Sequence, residues 1–313
     1  MLTTTDHYPS RAGRPASFLP RHDPVVYGAP DSKAASGLTA PQLEAYDRDG
    51  FLILPNVFSQ AEIDCFLRDA TRLLGSEDIK RSGEVISEPG SGDVRSIFRV
   101  HAASPLYSRL VRDPRLVNIA SDILDDEVYI HQSRLNYKPG FRGKEFYWHS
   151  DFETWHVEDG MPQMRALSMS ITLTANTADN GPLMLIPGSH KSFAVCTGET
   201  PANHFKTSLK KQEYGVPTDE ALTELAQSGG IVSAVSQPGS VIVFDCNTMH
   251  GSNSNITPHP RSNVFVVYNA VSNRVGEPFC DQAPRPEYIC SRETIATIQP
   301  EKTDLAGYRA LLK

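Results

Sequence analysis

Two periodicities divide this chain. Up to about residue 124 the apolar positions recur every three to four residues, and from Val128 they recur every two. In the first part, Thr39 with Gln42 three residues on makes a capping box. It predicts a helix over LEAYDRDG that stops at Gly50, a residue suited to the left-handed turn after a helix. FLILPNVF from Phe51 reads as a buried strand. Ser59 with Glu62 makes a second capping box and opens a helix to about Leu74, with Ile63, Phe66, Leu67, Ala70 and Leu73 at helical spacing. PGSGD at 89–93 is a turn, and Leu106 to Leu124 reads as one or two helices.

In the second part, VYIHQSRLNYK from Val128 alternates, so Gln132, Arg134 and Asn136 share one face. Polar residues on one face of so apolar a strand suggest a wet interior, as in a barrel mouth. RALSMSITLTANT places Leu167, Met169, Ile171 and Leu173 on one face. Ala166, Ser168, Ser170 and Thr172 lie on the other, which either leaves room for a ligand or faces solvent. Asn180-Gly181, Pro187-Gly188 and Pro238-Gly239 punctuate further strands, PLMLIPGSH and SVIVFD, the latter delivering His250. RSNVFVVYNAVSN, opening with Arg261, is another strand. Residues 196–230 are polar and carry four glycines, an excursion suited to act as a lid, with one short helix from Thr218 to about Gln227. Helices first and short turn-punctuated strands after them fit a mainly β fold. Its core is a double-sheet jelly roll over about 128–273, with helices packed outside. Residues 1–37, rich in Pro, Ser, Arg and Gly, read as an extended arm ordered by packing on a single domain of 38–313. Beyond Gly276 little is legible except a terminal helix from Asp304.

Composition narrows the function classes. The formal net charge is −7 with 39% hydrophobic residues in 313, as in an ordinary globular protein, and this argues against nucleic acid and anionic membranes as partners. No apolar run reaches the ~18 residues of a membrane span. The N-terminus lacks the apolar stretch of a secretory signal. Five scattered cysteines without a C-x-x-C suit reduced thiols in a cytoplasm.

The chemistry centres on FYWHSDFETWHVEDGMP, residues 146–162. His149 and Asp151 are two apart and, in an extended chain, point to one face. With 10 His and 20 Asp in 313 residues, a chance H-x-D is expected about 0.6 times, so the pair alone says little. His250 on a later strand would complete two imidazoles and one carboxylate on one face of an octahedron, the ligand set of non-haem Fe(II) oxygenases. His156 could compete as a ligand but reads better as support or packing. His190 reads as a turn cap, and Glu153, Glu158 and Asp159 as a solvated acidic turn. Trp155 sits among charged and hydroxyl residues, unusual for core, and offers a face to a cationic ring. A jelly-roll binding module is the competing class, but it needs neither this triad nor an Arg at the start of the next strand.

The ordered set H-S-D, N-G-P-L-x-x-x-P-G-S-H, P-G-S-x-x-x-F, H-G-S and Arg261 resembles the phytanoyl-CoA-hydroxylase-like family. Its members are Fe(II)- and 2-oxoglutarate-dependent dioxygenases on a double-stranded β-helix. The seventeen-residue stretch, with YPSR at 8–11, DPVVY at 23–27 and YNAVSN at 268–273, is most similar to the members that hydroxylate ectoine, a small zwitterionic cyclic amidine. The resemblance implies iron on His149, Asp151 and His250, and 2-oxoglutarate on Arg261 and Asn136, with O2 as the other co-substrate. It also implies ectoine on Gln132, Thr154 and Trp155, conversion to 5-hydroxyectoine, and a homodimer. Asp151 implies hydroxylation, since related halogenases carry a small residue there. A related hydroxylase acting on another small amino-acid-like solute is the alternative.

Overall fold

The computed structural model describes residues 6–28, 37–88, 91–209, 213–293 and 295–307. The first two residues of the PGSGD turn, three residues of the 196–230 excursion and most of the expected terminal helix lie outside the described residues.

The first half folds as its periodicity predicts. After the arm strand β1 (Ser17–Pro20), helix α1 (Ala40–Asp49) begins at Thr39, whose backbone N–H donates to Gln42 Oε1 at 2.8 Å, and ends at Gly50 with φ +82°. Strand β2 (Phe51–Leu54) follows. Helix α2 (Gln60–Gly75) begins at Ser59, whose N–H donates to Glu62 Oε2 at 2.8 Å. The short α3 (Glu77–Arg81), β3 (Val85–Ser87) and β4 (Val94–Phe98) have too little length for periodicity to show. Then come α4 (Val100–Ala103), α5 (Pro105–Leu110) and α6 (Pro114–Leu124). The region 106–124 is two helices because Pro114 cannot continue one; Asp113 instead caps the next, accepting from Arg115 N at 2.9 Å.

The second half runs β5 (Val128–Lys138), β6 (Phe146–His149), α7 (Asp151–Asp159), β7 (Ala166–Thr172), β8 (Leu183–Leu185) and β9 (Ser192–Val195). It continues through α8 (Phe205–Ser208), α9 (Asp219–Gly229), β10 (Val232–Ser233), β11 (Val241–Asp245), β12 (His250–Ser252) and β13 (Arg261–Ala270). A seven-stranded antiparallel sheet, β2-β11-β7-β13-β5-β4-β3, faces a four-stranded one, β10-β8-β12-β6. This is the jelly roll that the turn spacing predicts. One face of the large sheet, with Leu135, Leu167, Met169, Ile171, Val241, Val243, Val264 and Val266, joins Tyr46, Phe66, Leu106 and Ile119 of the helices in the main core. Each such side chain contributes about 1.5–3 kcal/mol on burial, so the helical layer holds the sheet from outside. The opposite face looks inward: Ile242, Phe244 and Phe265 meet Leu183 and Leu185 of the small sheet. Ser168, Ser170 and Thr172 lie on that inner face and are fully buried, so the solvated reading of this face does not hold.

Residues 6–28 run over the body as an extended arm. Strand β1 pairs antiparallel with β9, Ser17 opposite Val195, and Tyr8 and Arg11 are buried.

Candidate active site

The site forms where a strand turns into a helix. His149 is the last residue of β6, Ser150 caps α7 by accepting from Glu153 N at 3.3 Å, and Asp151 opens the helix. The expectation that H-x-D lies on one extended face is corrected here: the carboxylate projects from the first turn of a helix, where the helix dipole favours an anion. His250 likewise starts its own strand, β12, after a turn that follows β11. Strands β6 and β12 pair so that His149 and His250 are opposed Cα partners, with ring centroids 4.2 Å apart.

The two imidazoles are fixed in the same way. His149 Nδ1 lies 2.8 Å from Tyr147 O, and His250 Nδ1 lies 2.9 Å from Thr248 O. A carbonyl only accepts, so each Nδ1 carries a proton and each Nε2 is the nitrogen turned toward Asp151. Those Nε2 atoms lie 3.7 and 3.8 Å from Asp151 Oδ1, and Asp151 Oδ2 accepts from Ser168 Oγ at 3.0 Å. The three ligand atoms all fall within 4.8 Å of one another. Ligands on one octahedral face at ~2.1 Å bonds sit about 3 Å apart, so each histidine need close on the carboxylate by under an ångström to share a divalent ion with it. Burial would raise the Asp151 carboxyl, but His250, His149 and Arg134 outweigh it and hold the group well below the usual carboxylate range. Burial, then the neighbouring His149, pushes His250 down to about 4. Both states are those a metal ligand needs.

The histidines open onto a cavity whose wall carries four basic residues, Arg95, Arg134, Lys138 and Arg261, against one carboxylate, Glu88. Glu88 is taken by Arg95 at 3.2 Å. Arg261 is 3% exposed; its Nη1 donates to Gly181 O at 2.6 Å and its Nη2 to Asn136 Oδ1 at 3.2 Å. Its Nε has no hydrogen-bond partner among the described residues, and neither has Arg134 Nε. Burial, then Arg95 and Arg134, pushes Arg261 down to about 10. A cavity so short of negative charge is built for an anion.

The structure brings His149, Asp151, His250, Arg261 and Asn136 together. Gln132 shares the inner face of β5 with Arg134 and Asn136, and its Nε2 donates to Ile289 O at 2.8 Å. Trp155 lies one helical turn after Asp151, on the same side of α7. It is buried in an apolar cluster with Tyr8, Phe152, Met161 and Met164, edge-on to His131 at 5.0 Å. Thr154 departs from its expected place: its hydroxyl is 3.5 Å from Arg11 Nη2 and borders Gly215, so it turns to the arm and not to the cavity. His156 is packing, its ring nitrogens at 2.7 Å from Met161 O and 2.9 Å from Asp6 Oδ1.

The expected acidic turn is the larger correction. Glu153, Glu158 and Asp159 lie on helix α7 and are 1%, 4% and 0% exposed. Arg11 grips Glu153 through Nε at 2.9 Å and Nη2 at 2.7 Å, and Glu158 through Nη1 at 2.6 Å. His204 adds a second contact to Glu158 at 2.9 Å. Arg285 clamps both oxygens of Asp159, with Nε–Oδ1 at 2.7 Å, and His131 Nε2 lies 3.5 Å from the same carboxylate. Gly160 ends the helix at φ +74°, where a Cβ would stand 2.2 Å from Glu277 O. The tail beyond Gly276, of which little was legible in sequence, thus packs against the helix that carries Asp151.

Comparison with known proteins gives three findings. The family model described as phytanoyl-CoA dioxygenase (PhyH) matches residues 46–263. The ectoine dioxygenase of Bordetella bronchiseptica is 57% identical over 295 residues, covering 94% of this chain and 95% of the relative. A crystal structure of EctD from S. alaskensis with 2-oxoglutarate and 5-hydroxyectoine superposes at TM-score 0.87 with 49% identity, over 96% of this chain and 99% of that one. The same protein with bound Fe gives 0.86.

Proposed function

This chain belongs to the phytanoyl-CoA dioxygenase family, and we infer from that premise that it is an Fe(II)- and 2-oxoglutarate-dependent ectoine hydroxylase. It converts ectoine to 5-hydroxyectoine, with succinate and CO2 released from 2-oxoglutarate, a reaction of compatible-solute synthesis under osmotic stress. The observation that carries this reading is the His149–Asp151–His250 cluster opening onto a cation-rich cavity, in a chain so similar over its length to ectoine dioxygenases. When bound, Fe(II) activates O2 against the co-substrate for C–H hydroxylation. The test is mass spectrometry of enzyme supplied with Fe(II), 2-oxoglutarate and a panel of small solutes. A gain of one oxygen on ectoine is expected; oxidation of another solute with ectoine untouched would leave only the oxygenase class.

The protein's own part is to hold and orient. His149, Asp151 and His250 supply three ligands, and Ser168 holds the Asp151 carboxylate in its rotamer. Arg261, steadied by Asn136, pairs with the far carboxylate of 2-oxoglutarate. Arg261→Ala leaves that carboxylate unpaired in a largely buried cavity, at a cost of ~3 kcal/mol or more. The KM for 2-oxoglutarate should rise about 100-fold while that for ectoine moves little. An unchanged 2-oxoglutarate KM would place the carboxylate elsewhere.

Ectoine is cationic in its ring and anionic in its carboxylate. Trp155 offers an aromatic face, worth ~0.5–2 kcal/mol to a delocalised cation, and Gln132 a hydrogen-bonding amide. Thr154, given its position against Arg11, anchors the helix in place of the substrate. Trp155→Ala should raise the ectoine KM well above its effect on 2-oxoglutarate, and succinate should form in excess of hydroxylated product. Because Trp155 is also packed in a buried cluster, Trp155→Phe is the control that keeps most of the packing. Equal coupling in wild type and Trp155→Ala would remove the residue from the substrate site. Residues 196–230 serve as a lid, the arm and a single domain act as one unit, and the enzyme works as a homodimer in the cytoplasm. Among the described residues no helix is long and apolar enough to cross a membrane.

A further inference from the structure

The turn between β11 and β12, residues 246–249, meets the candidate metal site at two points. Its Thr248 carbonyl accepts from His250 Nδ1 at 2.9 Å. Its Cys246 carbonyl accepts at 2.8 Å from the backbone N–H of Phe152, the residue after Asp151. One carboxylate organises this turn. Asp245, which ends β11, accepts from Asn247 N at 2.8 Å on Oδ1, and its own carbonyl accepts from Thr248 N at 3.0 Å. The charge on that carboxylate is matched from the arm, 224 residues away in the chain. Arg21 donates through Nη1 to Oδ1 at 2.8 Å and through Nη2 to Oδ2 at 3.0 Å, the two side chains being 4% and 3% exposed. Its Nε donates to Asp23 O at 2.8 Å, and Tyr8 Oη and Met164 N hold the Asp23 carboxylate in turn. A two-point grip of this kind fixes orientation as well as charge.

We propose that the arm is a strap for the metal site, with Arg21 as a positioning residue: through Asp245 it sets the turn that aims His250 and seats the backbone beside Asp151. The proposal rests on the reading of His149, Asp151 and His250 as metal ligands. Without Arg21 the buried Asp245 carboxylate has no positive partner among the described residues; it must turn toward water, and the turn moves with it. Arg11 of the same arm grips helix α7 at Glu153, two residues after Asp151. One extended segment thus bears on both elements that bring the carboxylate and the distal imidazole together, and Arg21 touches no ligand itself.

Titration of Co(II) into the metal-free protein, read by its visible absorption, tests this apart from turnover. Arg21→Gln should weaken Co(II) binding about 10-fold and change the shape of the band, as the loss of a contact behind a ligand does. Arg21→Gln combined with Asp245→Asn leaves two amides and no buried charge, and should bind within about 3-fold of wild type. Arg21→Lys keeps the charge and loses the fork, and should bind about 3-fold more weakly; it decides the matter where the glutamine variant does not fold. Arg115→Gln removes ion pairs to Glu62 and Asp113, between helices α2 and α6, and should lower the melting temperature without moving Co(II) affinity. Wild-type affinity in Arg21→Gln or Arg21→Lys, a double variant no better than Arg21→Gln, or an Arg115→Gln variant as weak as Arg21→Gln would each overturn the proposal. Co(II) bound as tightly by His250→Ala as by wild type would instead sink the metal reading, and the proposal with it.

Discussion

Asp151→Ala is expected to take turnover below detection and to remove most of the iron, with the far-ultraviolet circular dichroism unchanged. On the proposed function the carboxylate is one of three protein ligands, and its loss leaves two imidazoles that cannot hold an octahedral ion. The fold should survive because Ser150, not Asp151, caps helix α7, and alanine is a good helix former at its first position. His149→Ala and His250→Ala should behave alike, since each imidazole is held by an Nδ1–H bond to a carbonyl two residues back. Ser168→Ala should fall between: it removes the one hydroxyl that orients Asp151, and such supporting contacts are typically worth 10–100-fold in metal affinity or activity. Iron stoichiometry and succinate release on each variant check the series. Full activity in any alanine variant of the three would remove that residue from the triad.

The second large effect is on stability. Arg285→Ala is expected to cost about 3–5 kcal/mol, since it leaves Asp159 buried with no full positive charge. For a chain of this size the melting temperature should drop by on the order of 10 °C. His131, 3.5 Å away, is the group left to compensate. The pH dependence follows from Glu158. Burial would raise it, but His204, Arg285 and Arg11 hold it down to about 2, from an ordinary value of 4.5. A carboxyl depressed on folding stabilises above its unfolded value, and that stability is lost as the pH falls through the window between 4.5 and 2. Wild-type melting temperature should therefore fall across that window, and fall less in Arg285→Ala, where part of the depression is gone. Equal stability of Arg285→Ala and wild type at neutral pH would mean that Asp159 is satisfied without Arg285.

What was legible in the sequence was whatever is local. Capping boxes at Thr39 and Ser59, the alternation of β5 and β7, and the glycine and proline turns fix elements within a few residues of themselves, and those elements are present. The alternation of β5 places Gln132, Arg134 and Asn136 on one face, and the same period carries Lys138 into the cavity wall beside them. Helix α7 was not legible. Its three acidic residues look solvated because their partners stand far off in the chain, 142 residues for Arg11 with Glu153 and 126 for Arg285 with Asp159. It is also buried almost all round, so no amphipathic period betrays it. Short strands such as β9 and β10 carry too few residues for a period of two to stand out.

The gripping of helix α7 from both sides has a consequence for how the molecule is made. By residue 250 a growing chain has His149, Asp151 and His250, and by Ala270 it has every strand of the jelly roll among the described residues. It does not yet have Arg285, and Asp159 has no arginine to meet. The helix that carries Asp151 settles only when Arg11, from a segment far before it in the chain, and Arg285, from one far after it, close on it together. The arrival of Arg285, more than closure of the barrel, is then the event that fixes the helix carrying Asp151. A product broken off after Asn273 would keep the grip of Arg11 on Glu153 and Glu158 and lose that of Arg285 on Asp159, leaving one end of the helix unrestrained and open to proteolysis.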